Sequence, residues 1–177
     1  MIIKDPLKCK QKENLSTLTS EIAEWKITAR NKPLTIIGVY RPPATKGTHN
    51  SVTTFTDEFM EIVQDELISN KNIIVLGDFN IHVDDENDPE AQGFLDCMIA
   101  LGLEQHVHHH THNKLHTLDH LYAESLDGLK VSNVHTDLLI SDHCAVIADL
   151  ELERDDIRKS NYNNQKFETP NTRPIVY

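Results

Sequence analysis

Apolar and polar side chains alternate in Ile22-Ala23-Glu24-Trp25-Lys26-Ile27, the period of a strand with one buried face. The next block, Leu34-Thr35-Ile36-Ile37-Gly38-Val39-Tyr40, is β-branched and nearly continuous, as a fully buried strand is. Asn31-Lys32-Pro33 reads as the turn between the two. Arg41-Pro42-Pro43 ends the second strand, because neither proline can donate to a ladder. Over residues 51–69 the period becomes helical: Phe55, Phe59, Ile62, Val63 and Leu67 share one face, with acidic residues opposite. Residues 70–72 close that helix, and Ile73-Ile74-Val75-Leu76 is another buried strand, followed at once by Gly77-Asp78-Phe79-Asn80.

The acidic stretch 84–90 reads as a loop. Phe94, Cys97, Met98 and Leu101 then mark a second helix stopped by Gly102. Strand candidates follow at residues 118–123, 129–134 and 144–152. Ile2-Ile3 looks like the end of a strand, and residues 8–20 are polar and read as a loop. From Glu153 onward the chain is polar, with Pro170 and Pro174, and reads as a tail or linker. No internal repeat is visible. The order of elements predicts one layered α/β domain over residues 1–152.

A length of 177 residues with 38% apolar and 25% charged side chains suits one globular domain. No apolar run approaches the roughly 20 residues that span a bilayer, so no membrane partner is expected. The start lacks the basic, apolar and small-residue pattern of a secretory signal. Cys9, Cys97 and Cys144 are odd in number and far apart, which fits no disulfide framework and suits a reducing, intracellular setting. Cys97 and Cys144 lie in apolar segments and read as small buried hydrophobes.

The net charge of −11 is unevenly spread. Residues 1–33 carry seven Lys/Arg against four Asp/Glu, residues 34–150 five against nineteen, and residues 151–177 five of each. An acidic middle segment either avoids polyanions or meets them through divalent metal. Several polar groups fall just past the ends of the expected strands, where sheet enzymes place their sites. These are Tyr40, Asp78 with Asn80, Asp119, and Asp142-His143. Singly, each has a plain structural reading as a turn, cap or polar loop. Their regular recurrence beside apolar strands is harder to dismiss.

Taken together, Val39-Tyr40-Arg41-Pro42-Pro43, Gly77-Asp78-Phe79-Asn80, Thr117-Leu118-Asp119 and Ser141-Asp142-His143 resemble the endonuclease/exonuclease/phosphatase superfamily. They are most similar to the endonuclease domain of non-LTR (LINE-type) retrotransposons, as is the run through Gln105-His106-Val107, Thr111-His112 and His116-Thr117-Leu118-Asp119. The resemblance implies a layered α/β/β/α sandwich and a Mg2+-dependent DNA endonuclease, with Mn2+ as an alternative ion. It implies that Tyr40 donates to a phosphate oxygen, and that Asp78 and Asn80 position or activate water and stabilise the pentacovalent phosphorus. It further implies that Asp142 binds metal, and that His143 contacts phosphate or acts as general acid–base with Asp119 orienting its ring. In such an element a reverse transcriptase lies downstream, and action on DNA implies nuclear access. The sequence departs from the family in lacking the first strand ending in Asn and the later strand-end Glu that is its main magnesium ligand. Glu13, in a polar stretch, is a poor substitute. The expectation is therefore a sandwich missing its first strands and helix, with impaired activity. The rival is a catalytically dead retroelement remnant with at most weak nucleic-acid binding. A phosphatase acting on a soluble phosphoester is a third reading.

Seven of the eleven histidines lie between His106 and His120: His106, His108, His109, His110, His112, His116 and His120. Such tracts have adventitious affinity for transition metals, and His112, His116 and His120 would share one helical face. Thr111, Asn113 and Thr117 disfavour a helix, and the resemblance puts a loop and then a strand here, so no structural zinc site is expected from the tract. Trp25 reads as sheet packing. The acidic stretch 84–90 lacks the Gly and Glu positions of a calcium loop.

Overall fold

The structure is a computed structural model that describes residues 8–12, 15–29, 32–44, 50–69, 72–124 and 128–152. The expected strand end at Ile2-Ile3, Glu13 and the expected tail from Glu153 lie outside the described residues. The elements in chain order are β1 (Lys8–Gln11), β2 (Leu15–Ser16), β3 (Glu21–Ala29), β4 (Lys32–Tyr40), α1 (Val52–Ser69), β5 (Ile73–Asp78), α2 (Pro89–Ala100), β6 (Leu103–Gln105), β7 (Asp119–Glu124), β8 (Leu129–Ile140) and β9 (His143–Leu152).

A seven-stranded sheet runs in the order β1-β3-β4-β5-β7-β6, with β2 also paired to β3. Its neighbours are antiparallel except β4 and β5, which are parallel and joined through α1. β8 and β9 form a separate two-stranded sheet. Both helices cover one face of the large sheet. There Phe55, Phe59 and Val63 of α1 and Phe94 and Met98 of α2 meet Ile37, Val39, Ile73, Val75 and Tyr122. The rings of Phe55, Phe59, Phe79 and Phe94 pack with centroids 5.2 to 6.4 Å apart. Each such burial contributes about 1.5–3 kcal/mol. On the opposite face β8 and β9 bring Val131, Val134, Val146, Ala148 and Leu152 against Ile27, Leu34, Ile74, Leu121 and Ala123. The described layers are thus α/β/β. No helix among the described residues is long and apolar enough to cross a membrane.

The helices start where the sequence caps them. Ser51 Oγ accepts the Thr54 amide at 3.0 Å, and Asp88 accepts from the Glu90 and Ala91 amides ahead of Pro89. Gly102, at φ +76°, follows α2 in the left-handed conformation that ends helices.

Several expectations need correction. Residues 8–20 contain β1 and β2 and are not a loop throughout. Asn31-Lys32-Pro33 is not simply a turn, since Lys32 and Pro33 pair with Ala29 and Thr28 at the start of β4. β6 has no counterpart in the sequence reading. β8 continues to Ile140, past the expected end at Val134, through irregular register near Asn133, whose φ is +50°. Cys97 and Cys144 are only partly buried. One polar position of β3 is not turned to water either. Glu24 is 3% exposed and, with Glu66 of α1, is bound by Lys12 at 2.9 and 2.7 Å.

Candidate active site

The ends of three neighbouring strands bring the sequence candidates into one row. Tyr40 is the parallel partner of Asp78, and Asp78 is the antiparallel partner of Asp119. Partnered residues share a sheet face, so all three are directed to the side covered by β8 and β9. Gly77 makes this approach possible. Its φ is +145°, and a Cβ there would lie 1.9 Å from the Val39 carbonyl oxygen.

Beyond Gly77 the chain alternates between site and core. Phe79 is fully buried, and its amide donates to Leu118 O at 2.9 Å. Asn80 takes φ +48°, a left-handed conformation that Asn tolerates. Its amide donates to Asp78 Oδ1 at 3.1 Å, and its side-chain Nδ2 donates to Arg41 O at 2.8 Å. Arg41 is 1% exposed and holds this turn from inside. Its Nη1 donates to Phe79 O at 3.3 Å and Asn80 O at 3.1 Å, and its Nη2 to Asn50 O at 2.8 Å. The guanidinium also lies 5.7 Å from the Phe55 ring centroid. From the sequence, Arg41 reads as part of a strand-ending motif and of the family resemblance, with no role of its own. The available signal was a cation set between a buried strand and two prolines.

The other half of the site comes from the turn between β8 and β9. His143 Nδ1–H donates to Asp119 Oδ2 at 2.8 Å, joining the two sheets. The turn is docked on the segment before β7: Asn113 N–H donates to Asp142 O at 2.8 Å and Cys144 N–H to Thr111 O at 2.7 Å. Thr111, fully buried, accepts the amides of both Leu118 and Asp119 on its Oγ1 at 3.0 Å. A cavity of about 200 Å3 is lined by Asp119 together with Leu76, Gly77, His120, Cys144 and Val146.

Electrostatics follow from this crowding. Burial first, and then the charge of Asp119, push the Asp78 carboxyl above the usual carboxylate range. Burial opposes charge on His143, but the hydrogen bond and charge of Asp119, with Asp78 and Asp142, outweigh it and raise the imidazole above its ordinary value. Asp142 is exposed, and the hydroxyl of Ser141 holds its carboxyl low. His112 Nε2 lies 3.6 Å from Asp142 Oδ2, and its ring is 4.9 Å from that of His143. His112, Asp142 and His143 offer ligand atoms within 4.8 Å of one another, a candidate cation site.

The histidine tract therefore divides. His112 joins the site, while His108, His109 and His110 are exposed. His120 is core: it stacks on Phe79 at 4.8 Å, and its Nε2 lies 3.2 Å from both Ile81 O and Thr117 O. The Tyr122 hydroxyl donates to its Nδ1 at 3.2 Å. Sequence periodicity had no means of separating these three fates.

A sequence family described as endonuclease-reverse transcriptase matches residues 34–147. No curated protein matches the chain in sequence. Among solved structures, the catalytic domain of human Nocturnin with bound sulfate is similar with 16% identity and a TM-score of 0.60, covering 82% of this chain and 60% of that one. The 3′ phosphatase NExo from Neisseria, bound to a product DNA hairpin, is similar with 22% identity and a TM-score of 0.56, covering 72% and 64%. An endonuclease/exonuclease/phosphatase family protein from Leptotrichia buccalis has 15% identity and a TM-score of 0.57, covering 83% and 60%. The chain thus spans 60 to 64% of the length of these structures.

Proposed function

The chain belongs to the endonuclease–reverse transcriptase family, with the fold of the endonuclease/exonuclease/phosphatase superfamily, and we propose that it is the DNA-nicking phosphodiesterase domain of a retrotransposon-derived polypeptide. The observation that carries this reading is the row Tyr40–Asp78–Asp119, closed by the 2.8 Å contact from Asp119 to His143.

Each group then has a task that its surroundings suit. With Nδ1–H held by Asp119, His143 presents Nε2 to the phosphate, either as a cationic donor or as the group that returns a proton to the leaving oxygen. The raised pKa of His143 favours that proton-carrying form more than in a free imidazole. Asp78 has Oδ1 occupied by the Asn80 amide, which leaves Oδ2 to take a proton from attacking water, and its raised pKa makes it a better base. The second Nδ2 hydrogen of Asn80 and the exposed hydroxyl of Tyr40 are donors for nonbridging phosphate oxygens.

Magnesium takes oxygen ligands, commonly one or two carboxylates completed by water and substrate phosphate. The exposed carboxylate of Asp142 fits such a minimal site, completed by water and the substrate itself. When bound, the ion would neutralise phosphate charge and lower the pKa of bound water. One carboxylate flanked by imidazoles is a weak magnesium site, so low activity is expected of these 177 residues alone. The same observation favours the rival reading, a dead remnant with at most weak nucleic-acid binding. Action on target DNA would place the parent polypeptide in the nucleus, with the reverse transcriptase following this domain.

The deciding experiment is conversion of supercoiled plasmid to open circle with magnesium. An EDTA-sensitive product that disappears in Asp142→Ala supports the nuclease. Folded protein that forms no open circle at any magnesium concentration supports the remnant.

A further inference from the structure

His82 and Asp84 stand between β5 and α2, and His116 stands just before β7. None of them takes part in the site above. One ring nitrogen of each histidine and a carboxylate oxygen of Asp84 lie within 4.8 Å of one another. The imidazoles of His82 and His116 meet edge to face, with centroids 4.2 Å apart.

The His116–Asp84 contact is a long hydrogen bond, at a spacing that shared ligation of one ion also allows. His116 Nδ1 lies 3.3 Å from Asp84 Oδ2, whereas His143 and Asp119 close to 2.8 Å in a charge-assisted bond. Two ligands on a tetrahedral zinc, each bound at about 2.0–2.1 Å, stand about 3.3–3.4 Å apart. Asp84 is also already oriented. Its Oδ1 accepts the Thr117 amide at 3.0 Å, leaving Oδ2 toward His116, which is the outer support that fixes a metal-binding carboxylate. The turn that presents His82 and Asp84 is closed by Asp85 N–H to His82 O at 3.0 Å. The side chains of His116 and Asp84 remain 38% and 25% exposed, so an ion has a path in.

We propose that His82, Asp84 and His116 form a binding site for a zinc-class transition ion, with two nitrogens, one carboxylate oxygen and an outward position for water. Two imidazoles and one carboxylate suit zinc or its neighbours and not magnesium, so this site is chemically distinct from the role given to Asp142. Its consequence is mechanical. The ion links the segment that leaves Asp78 and Asn80 to the segment that enters Asp119, fixing two sides of the strand-end row relative to one another. The proposal does not depend on the phosphodiesterase reading.

Zinc titration calorimetry of the full chain, with cobalt absorption spectra as the geometric readout, tests it. The variants are His82→Ala, Asp84→Asn and His116→Ala, with two controls: His112→Ala, and the combined change of His108, His109 and His110 to alanine. One ion per chain, a loss of at least about tenfold in affinity for each of the first three, and retained affinity in both controls support the site. Zinc should also raise the melting temperature of the wild type but not of His82→Ala, which loses a ring that meets His116 edge to face but keeps the backbone bond from Asp85 N–H to residue 82 O, and so should fold unaided. Binding that survives His82→Ala and His116→Ala overturns the proposal, as does binding lost only in a control or no binding at all.

Discussion

His143 Nδ1 lies 2.8 Å from Asp119 Oδ2, so the residue opening β9 of the two-stranded sheet is held by the one opening β7 of the large sheet. The contact couples the orientation of the proposed proton carrier to the packing of the two layers. Because folding raises the pKa of His143, the couple stabilises the protein fully below the ordinary histidine value. That contribution is lost as pH rises through the folded value. Asp119→Asn should lower the His143 pKa, which an imidazole NMR titration reads directly. An unchanged titration in that variant would remove Asp119 from its orienting role.

His120 acts in the opposite sense. Burial takes its pKa from 6.5 to about 4, so the folded state resists protonation. The unfolded chain binds the extra proton in that window, and stability falls as pH drops from about 6.5 toward 4, by up to about 1.4 kcal/mol per pH unit. Urea unfolding across this range should show a steeper acid limb in the wild type than in His120→Phe.

Arg41 should matter out of proportion to its place away from the substrate side. Arg41→Met removes donors from the carbonyls of Phe79, Asn80 and Asn50. The expected loss is about 3 kcal/mol of stability, measured by denaturant unfolding. Arg41→Lys, whose three donors sit on one nitrogen and not on a planar fork, should recover only part of it.

Thr111→Val keeps the shape but leaves the buried amides of Leu118 and Asp119 without an acceptor, at a cost of about 2 kcal/mol. Faster hydrogen exchange at those two amides is the specific readout.

Leu115 adopts φ +65° at a site that is 67% exposed. Leu115→Gly relieves the left-handed strain and loses little packing, so it should raise stability by roughly 1 kcal/mol. A lowered melting temperature would show that the side chain packs in a way its exposure conceals.

The long elements were legible because their signals are local. β4 and β5 are apolar runs, and α1 keeps Phe55, Phe59 and Val63 on one face. β1 gave no such signal, since all four of its residues are exposed and its register is set by pairing with β3. Pro33 suggested a turn, yet it enters a strand at its first pairs, where the missing donor is tolerated. Of the candidate site, Tyr40, Asp78, Asn80, Asp119, Asp142 and His143 stood out as candidates because strand ends collect them. Arg41, Thr111 and His120 could not be assigned their places, because each depends on contacts with residues distant in the chain. The same holds for His82 and Asp84, which lie outside the histidine tract and meet His116 only through the fold.

The most direct measurement is magnesium-dependent nicking of supercoiled plasmid by the wild-type chain, His143→Ala and Asp78→Asn, all at matched folded content. The account predicts a slow open-circle product from the wild type and a drop of at least about a hundredfold in each variant. Equal nicking by all three proteins, or no nicking by any of them, would contradict it.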